Sequence, residues 1–170
     1  MNFKSVILVA CAFLFAMGMP VQAQPVVEEP EWKESDVPSP PASDMGKLLT
    51  FEVSSASSLI YGVDPATISI TQSDGVVRYV MVATSVSGVS NIMYEGIRCS
   101  TGQYKTYARY SADGRWNLLG NPEWRSMFGN MPSKHALRFA KAGACDNVTP
   151  ASSVAEMISQ LKNPNFRAAQ

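Results

Sequence analysis

From Leu48 onward, short apolar runs alternate with polar positions along the chain. The runs are rich in β-branched and aromatic residues and are separated by Gly, Asp, Asn and Ser, the pattern of half-buried strands joined by turns. Turn signals stand at 73–75 (SDG), 100–102 (STG) and 112–114 (ADG). Because the connections are short, the strands are expected to form an antiparallel meander. The predicted strands are 48–53, 66–71, 76–85, 90–99, 103–110 and 114–119.

The last third of the chain has the apolar spacing of helices. Ser133 follows Pro132 as a candidate N-cap, and Gly143 is a candidate stop signal. A second helix begins after Ser152 or Ser153. Its apolar stripe is formed by Val154, Met157, Ile158 and Leu161. The pattern therefore predicts an α+β domain, with a sheet of five or six antiparallel strands and one or two C-terminal helices packed on one face.

Residues 1–23 have the layout of a secretory signal. Lys4 precedes an apolar run at 6–17, and the segment MPVQAQ predicts cleavage after Ala23. The run is shorter than the roughly 20 residues of a transmembrane helix, and no later segment approaches that length. We therefore expect a periplasmic or secreted protein with no transmembrane helix in the mature chain. The alternative is a lipoprotein acylated at Cys11 within LVAC, which the apolar residues after Cys11 disfavour.

Charge is unevenly distributed, although the 14 basic and 14 acidic residues cancel. Residues 24–47 carry six acids against two lysines, and residues 48–170 carry eleven Lys and Arg against eight acids. The first segment is also rich in Pro and Ser, so it is expected to be an extended or disordered acidic arm. Trp32 is expected to dock this arm onto the folded domain at 48–146; the alternative is a contact with a partner. A C-terminal helix and tail follow at 147–170.

Two cysteines remain after the predicted cleavage, Cys99 and Cys145. An even pair in an exported chain indicates a disulfide, because that compartment is oxidising. A helix starting near Ser133 and packed on the sheet would deliver Cys145 to Cys99. The bond between them is therefore predicted.

The hairpin at 90–110 separates into two faces if Thr101 and Gly102 form a two-residue loop. The face predicted to be buried holds Met93, Glu95, Ile97 and Cys99 with Tyr104, Thr106, Ala108 and Tyr110. The face predicted to be exposed is cationic and aromatic, with Tyr94, Arg98, Lys105, Tyr107 and Arg109. In this register Arg98 lies opposite Lys105, an unfavourable pair of like charges. Either solvent and a nearby carboxylate neutralise it, or the face is an anion or partner site.

Catalytic signatures are scarce. The single histidine, His135, excludes multi-histidine metal sites, and there is no Cys-X-X-Cys, phosphate loop or nucleophile elbow. No cofactor, metal or catalytic residue is therefore assigned. His135 is expected to be partly exposed in the first turn of a helix, where the helix dipole disfavours its protonation. A Cys99 nucleophile with His135 as base would need a free thiol. A Glu95 that is buried with a raised pKa would indicate a functional site, whereas a Glu95 at the rim of the sheet would indicate nothing about function.

The chain resembles the CNP-one-like family of proteobacterial exported proteins. The resemblance is carried by EWKESDVPSPP, VSSASSLIYGVDPATISI, DGVVRYVMVATSVSGVSNIMYEGIRC and the helix that leads to Cys145, roughly residues 31–146. It implies a bacterial envelope location and supports a structural role for Cys99. It implies no activity.

These observations favour a non-enzymatic module that binds an anionic envelope component or a periplasmic protein through the cationic-aromatic hairpin face. Export disfavours nucleic acid as a partner. Two alternatives remain open. One is a periplasmic hydrolase or transferase that uses Cys99, or Glu95 with a neighbouring group. The other is a lipid-anchored structural subunit of the envelope whose acidic arm carries the interaction.

Overall fold

The predicted strands assemble into one antiparallel sheet. The structure is a computed structural model that describes residues 31–163. The strands of the sheet are β1 (Leu49–Phe51), β2 (Leu59–Val63), β3 (Ser69–Thr71), β4 (Val76–Ser85), β5 (Ser90–Arg98), β6 (Gln103–Tyr110), β7 (Trp116–Leu118) and β8 (Arg125–Ser126). Neighbours follow the order β1-β2-β4-β5-β6-β7, with β3 beside β4 and β8 beside β6. The predicted α+β fold with an antiparallel sheet is confirmed.

Strand β2 was not predicted from the sequence. Its last three residues, Tyr61, Gly62 and Val63, are all buried, which removes the alternation that marks a half-buried strand. Gly62 allows β2 to lie close to its neighbour, since a Cβ atom there would be 3.1 Å from the Cβ of Leu48. The strand is therefore covered on both faces.

The sheet carries a core on each face. The larger core lies between the sheet and the helices and includes Tyr79, Ile97, Phe139, Met157 and Leu161. The smaller core lies on the opposite face and contains Val80, Val82, Tyr94, Tyr107 and Ala108. Burial from both sides explains why eight successive residues of β4 are buried, as in a strand with both faces covered.

Two helices follow the sheet, as predicted. Helix α1 (His135–Phe139) continues into one π turn (Ala140–Ala144), where Gly143 has φ 129°. Helix α2 (Val154–Lys162) begins at the predicted cap, because Ser153 Oγ accepts the backbone N–H of Glu156. A Cβ atom at Gly143 would lie 2.8 Å from the Cβ of Gln160, so this glycine also permits close packing against α2.

The disulfide joins the β5–β6 turn to the end of the π turn. Cys99 and Cys145 are bonded, with their Cα atoms 5.7 Å apart. A short hairpin of β9 (Cys145–Asp146) and β10 (Thr149–Pro150) follows. The predicted bond is confirmed, and a Cys99 nucleophile is incompatible with it.

The register of the β5–β6 hairpin differs from the prediction. The turn is a 3₁₀ turn, Cys99–Thr101, closed by Gly102 with φ 60°. Arg98 therefore pairs with Gln103, and Lys105 pairs with Gly96. The predicted opposition of Arg98 and Lys105 is wrong.

A β-bulge then reverses the alternation within β6. Glu95 pairs with Thr106 and Tyr94 pairs with Ala108, so Tyr107 is an extra residue between them. Beyond the bulge, Ala108 and Tyr110 lie on the face of the smaller core, and Arg109 lies opposite Met93 on the face of the larger core. The predicted faces of these three residues are wrong for that reason.

The chain divides into two units, 1–31 and 32–170, and the contacts described here lie within the second. The predicted signal segment at 1–23, the cysteine at position 11 and the tail from 164 fall outside the described residues. Within residues 31–163, no helix has the length and apolar character needed to cross a membrane.

Candidate functional site

Glu95 and His135 form a buried pair on the helix side of the sheet. His135 Nε2 lies 2.9 Å from Glu95 Oε2, and the two residues are 7% and 0% exposed. β5 supplies Glu95, and the first turn of α1 supplies His135. The imidazole stacks on Tyr61, with centroids 5.7 Å apart, and meets Tyr104 edge-on at 5.8 Å. The expectation of a partly exposed histidine is wrong, because this turn lies against the sheet.

Two further donors satisfy the Glu95 carboxylate. Thr106 Oγ1 donates to Oε1 at 2.9 Å, and Tyr79 Oη donates to Oε2 at 3.2 Å. Burial, together with the charge of Glu95, raises the pKa of Tyr79 far above its usual value, so this hydroxyl stays a donor. With the histidine, three side chains serve one buried carboxylate, as a buried charge requires.

The Glu95 carboxylate favours protonation of His135. Burial alone would lower the pKa of His135, but the charge of Glu95 and its hydrogen bond outweigh burial and raise the pKa above 6.5. The positive charge of Arg109 acts in the opposite direction. The prediction from the helix dipole therefore omitted Glu95, the group that raises the pKa of His135.

Ser133 completes a chain of three polar groups. Its Oγ lies 3.0 Å from His135 Nδ1 and also accepts the backbone N–H of His135 at 3.2 Å. The hydroxyl thus orients the histidine and satisfies an N–H at the start of α1. Ser133, His135 and Glu95 stand in the order hydroxyl, imidazole and carboxylate of a hydrolytic triad, with the two ring nitrogens in exchanged roles.

A pocket of about 520 Å³ opens beside this pair, a size within the range of small-molecule sites. His135, Ser133 and Thr106 form part of its wall, and the pocket is also lined by Arg109, Arg125 and one carboxylate, Glu123. Both arginines are exposed. Among residues 31–163, neither makes an ion pair with a carboxylate. The apolar and aromatic lining residues include Leu59, Tyr61, Met93, Tyr104 and Met131.

The cationic-aromatic set predicted on the hairpin does not form an exposed surface. Tyr94 and Tyr107 are 2% and 5% exposed and belong to the smaller core. Lys105 and Arg98 lie on the same face, but the guanidinium of Arg98 is covered by the ring of Trp32 at 3.7 Å. Arg109 lies on the opposite face, in the pocket. The bulge and the docked arm are the two reasons why the prediction of an exposed face is wrong.

Trp32 docks the arm as expected. Its indole Nε1 donates to the backbone oxygen of Asp74 at 2.9 Å, and its ring meets Trp124 edge-on at 5.9 Å. Ser35 adds a backbone N–H bond to Asp74 Oδ2 at 3.0 Å.

Glu34 supplies the anion that the hairpin cations predict. Its carboxylate accepts from Lys105 Nζ at 2.6 Å, Tyr107 Oη at 2.6 Å, Trp124 Nε1 at 3.2 Å and Arg78 Nη2 at 3.5 Å. We call these four side chains the Glu34 socket. Arg78 is fully buried and also binds Asp74 at 2.8 Å. The anion at this site belongs to the same chain.

Sequence reasoning missed several positions of the candidate site, among them Arg78, Arg125 and Ser133. Arg78 interrupts an apolar run, VVRYVMV, and a charge there is a signal of a buried ion pair. Arg125 and Ser133 carry no such signal, because only the tertiary fold brings them to the pocket. Within the described chain, no group of three or more His, Cys, Asp or Glu residues is arranged to hold a metal ion.

A model of the CNP1-like family matches residues 27–162. The chain belongs to the CNP1-like family. The match includes the docked arm, the Glu34 socket and the pocket, and it agrees with the resemblance seen in the sequence. No curated protein and no solved structure matches the chain.

Proposed function

We propose that this CNP1-like protein is an exported, non-enzymatic binding module of the bacterial envelope. Its ligand is a small anionic molecule held in the pocket by Arg109, Arg125 and His135. The observation that carries the proposal is the placement of Arg109 and Arg125, which make no ion pair with residues 31–163, beside a histidine whose protonated form Glu95 favours. Export is supported by the signal layout of residues 1–23 and by the disulfide, which suits an oxidising compartment.

The chemistry of the lining defines the ligand class. Arginine binds carboxylates and phosphates through paired N–H groups. The rings of Tyr61 and Tyr104 offer flat apolar surface on the same wall. The pocket therefore suits a molecule that combines one carboxylate, phosphate or sulfonate group with an apolar or aromatic body.

An aromatic sulfonate whose fluorescence rises on binding, anilinonaphthalene sulfonate, tests this pocket. The disulfide-bonded mature protein is titrated with the probe and compared with the Arg109→Gln/Arg125→Gln double variant. We expect saturable binding that weakens at least about tenfold in the double variant, since each charged hydrogen bond contributes roughly 1.5–3 kcal/mol. Arg115→Gln is the matched control, because Arg115 is exposed and pairs with Asp113 away from the pocket. Equal affinities for the wild type and the double variant, or no saturable binding, would refute the proposal.

One observation favours a second function, hydrolysis. Ser133 Oγ, the His135 ring and the Glu95 carboxylate form a continuous hydrogen-bonded series beside the pocket. In such a mechanism Ser133 Oγ attacks an ester carbonyl carbon while His135 Nδ1 takes the hydroxyl proton. His135 then protonates the leaving alcohol, and water hydrolyses the acyl-serine. The raised pKa of His135 opposes this role, because a protonated ring cannot act as a base.

A fluorophosphonate probe decides this second function. At alkaline pH Ser133 Oγ would attack the phosphorus of the probe, fluoride would leave, and the phosphonyl group would remain on Ser133; the Ser133→Ala variant would stay unlabelled. Intact-mass spectrometry at about pH 9 reads the result. An unlabelled wild-type protein would rule out this use of Ser133.

A further inference from the structure

The Glu34 socket has the construction of a peptide-recognition site. Its donors come from three parts of the chain: Arg78 from β4, Lys105 and Tyr107 from β6, and Trp124 from the segment after β7. Burial raises the pKa of Tyr107, so its hydroxyl remains a donor. Charged hydrogen bonds from a pre-arranged, largely buried set are the strong kind.

A second subsite lies beside the socket. The ring of Trp32 rests between the guanidinium of Arg98 and the ring of Trp124. A guanidinium over the face of a tryptophan is attracted by the negative face of the ring. The surface therefore recognises an aromatic residue followed two positions later by a carboxylate.

The docked segment is joined to the rest of its chain by a weakly held connector. Residues 36–43 are mostly exposed, include Pro38, Pro40 and Pro41, and make no hydrogen bond in the described structure. The next fixed point is Asp44, whose backbone N–H donates to Asp64 Oδ2 at 2.6 Å. Residues 32–35 contact the domain without joining the sheet. Release of the arm would therefore leave every strand pairing intact.

We propose that the Glu34 socket also receives the arm of a second copy of this chain, which gives an arm-exchanged dimer. The arm of a second copy fits this socket because both copies have the same sequence, so its residues 32–35 present the same Trp32, Glu34 and Ser35. Exchange in both directions closes a two-fold dimer and leaves no free arm. The eight residues of the connector span up to about 26–29 Å when extended.

Concentration governs the balance between the two forms. A short tether holds the arm at an effective concentration near the millimolar range, so the monomer dominates in dilute solution. The dimer gains where the local concentration of the protein is high. This surface lies on the sheet face opposite the pocket, and the inference does not depend on the proposed ligand.

Complementation between two defective variants tests the exchange. The arm variant, Trp32→Ala/Glu34→Gln, has an empty socket; the socket variant, Lys105→Gln/Tyr107→Phe, has an undocked arm. Each is expected to be monomeric alone. Their equimolar mixture at about 1 mM is expected to contain a dimer with one copy of each, detected by sedimentation velocity and native mass spectrometry. Near-ultraviolet circular dichroism and a thiol count confirm that both variants are folded and disulfide-bonded. A mixture that stays monomeric overturns the proposal.

A synthetic peptide of residues 28–37 tests whether the Glu34 socket binds the arm of a second copy or only the arm of its own chain. It is titrated into the arm variant, with the peptide carrying Glu34→Gln as the matched control. Mixed dimers together with at least about tenfold weaker binding of the control peptide support the exchange. Peptide binding without mixed dimers overturns it and assigns the socket to the arm in its own chain. Equal binding of the two peptides also overturns it, because the carboxylate would then contribute nothing.

Discussion

Glu95 Oε2 and His135 Nε2 lie 2.9 Å apart in the core, although 40 positions separate them along the chain. Because His135 is the single histidine of the protein, its titration can be followed without overlap. The pair links the middle of β5 to the first turn of α1. A proton on this ring is therefore coupled to the packing of the helix against the sheet.

Stability is expected to fall as pH rises through the pKa of His135. The folded-state pKa lies above the unfolded value of 6.5, so the folded state binds the proton more tightly. The stabilisation is fully present below about pH 6.5 and is lost as pH rises through the folded pKa. Urea denaturation at about pH 6 and pH 9 should show this loss, and His135→Gln should have a smaller pH slope. Equal slopes for the wild type and His135→Gln would contradict this account.

Arg109 is expected to set the pKa of His135 together with Glu95. Its charge opposes protonation of the ring, so Arg109→Gln should raise the pKa and Glu95→Gln should lower it. NMR titration of the histidine ring protons measures both shifts. Arg115→Gln, whose side chain pairs with Asp113, should leave the pKa unchanged. An unshifted pKa in Glu95→Gln would show that the pair is not coupled.

Removal of the disulfide is expected to lower the free energy of unfolding by about 4 kcal/mol in the chain-entropy model. The bonded cysteines are 46 positions apart, and a loop of that length loses much entropy on closure. Urea denaturation of Cys99→Ala/Cys145→Ala against the oxidised wild type measures the difference. A loss below about 1 kcal/mol would mean that the unfolded chain is already restricted near the bond.

Gly96→Ala is expected to release the arm. A Cβ atom at this position would clash with Tyr107 Oη and lie 2.9 Å from its ring, so the ring must move away from Glu34. Overpacking of this kind costs about 1–3 kcal/mol. Faster proteolysis within residues 36–43 reports the release. Gly120→Ala is the matched control, because no atom lies within 4 Å of the added Cβ, and equal cleavage rates would argue against the effect.

The mature N-terminus is expected at Gln24. The signal layout predicts cleavage after Ala23, and the intact mass of protein purified from a bacterial envelope fraction measures it. An acylated N-terminus at Cys11 would contradict this start and support the lipid-anchored alternative.

Local patterns predicted most of the fold. Alternation identified the long strands β4, β5 and β6, the cap at Ser153 identified α2, and the placement of Cys145 after a helix identified the disulfide. Each of these signals comes from residues that are close together in the sequence. The β2 strand lacks such a signal, because its buried run at 61–63 follows from coverage on both faces.

The candidate site was predictable only in parts. Glu95 and His135 each stood out in the sequence, but nothing local joins two residues on different elements. The sequence predicted that an anion neutralises the cationic residues of the hairpin. It did not identify that anion as Glu34, because the position of Glu34 depends on how an irregular arm lies across the sheet. The bulge at Tyr107 changes the faces of the residues that follow it, and alternation cannot reveal where one extra residue is inserted.

That extra residue divides β6 between two surfaces, although Lys105, Tyr107 and Arg109 occupy alternate positions in the sequence. Lys105 and Tyr107 serve the arm on one side, and Arg109 serves the pocket on the other. Deletion of Tyr107 would leave a regular pairing in which Thr106 and Ala108 remain opposite Glu95 and Tyr94, so Arg109 would stay in the pocket while the socket lost a hydroxyl donor. Relatives and engineered variants of this protein are therefore best compared by the length of β6 before the identities of its residues are considered.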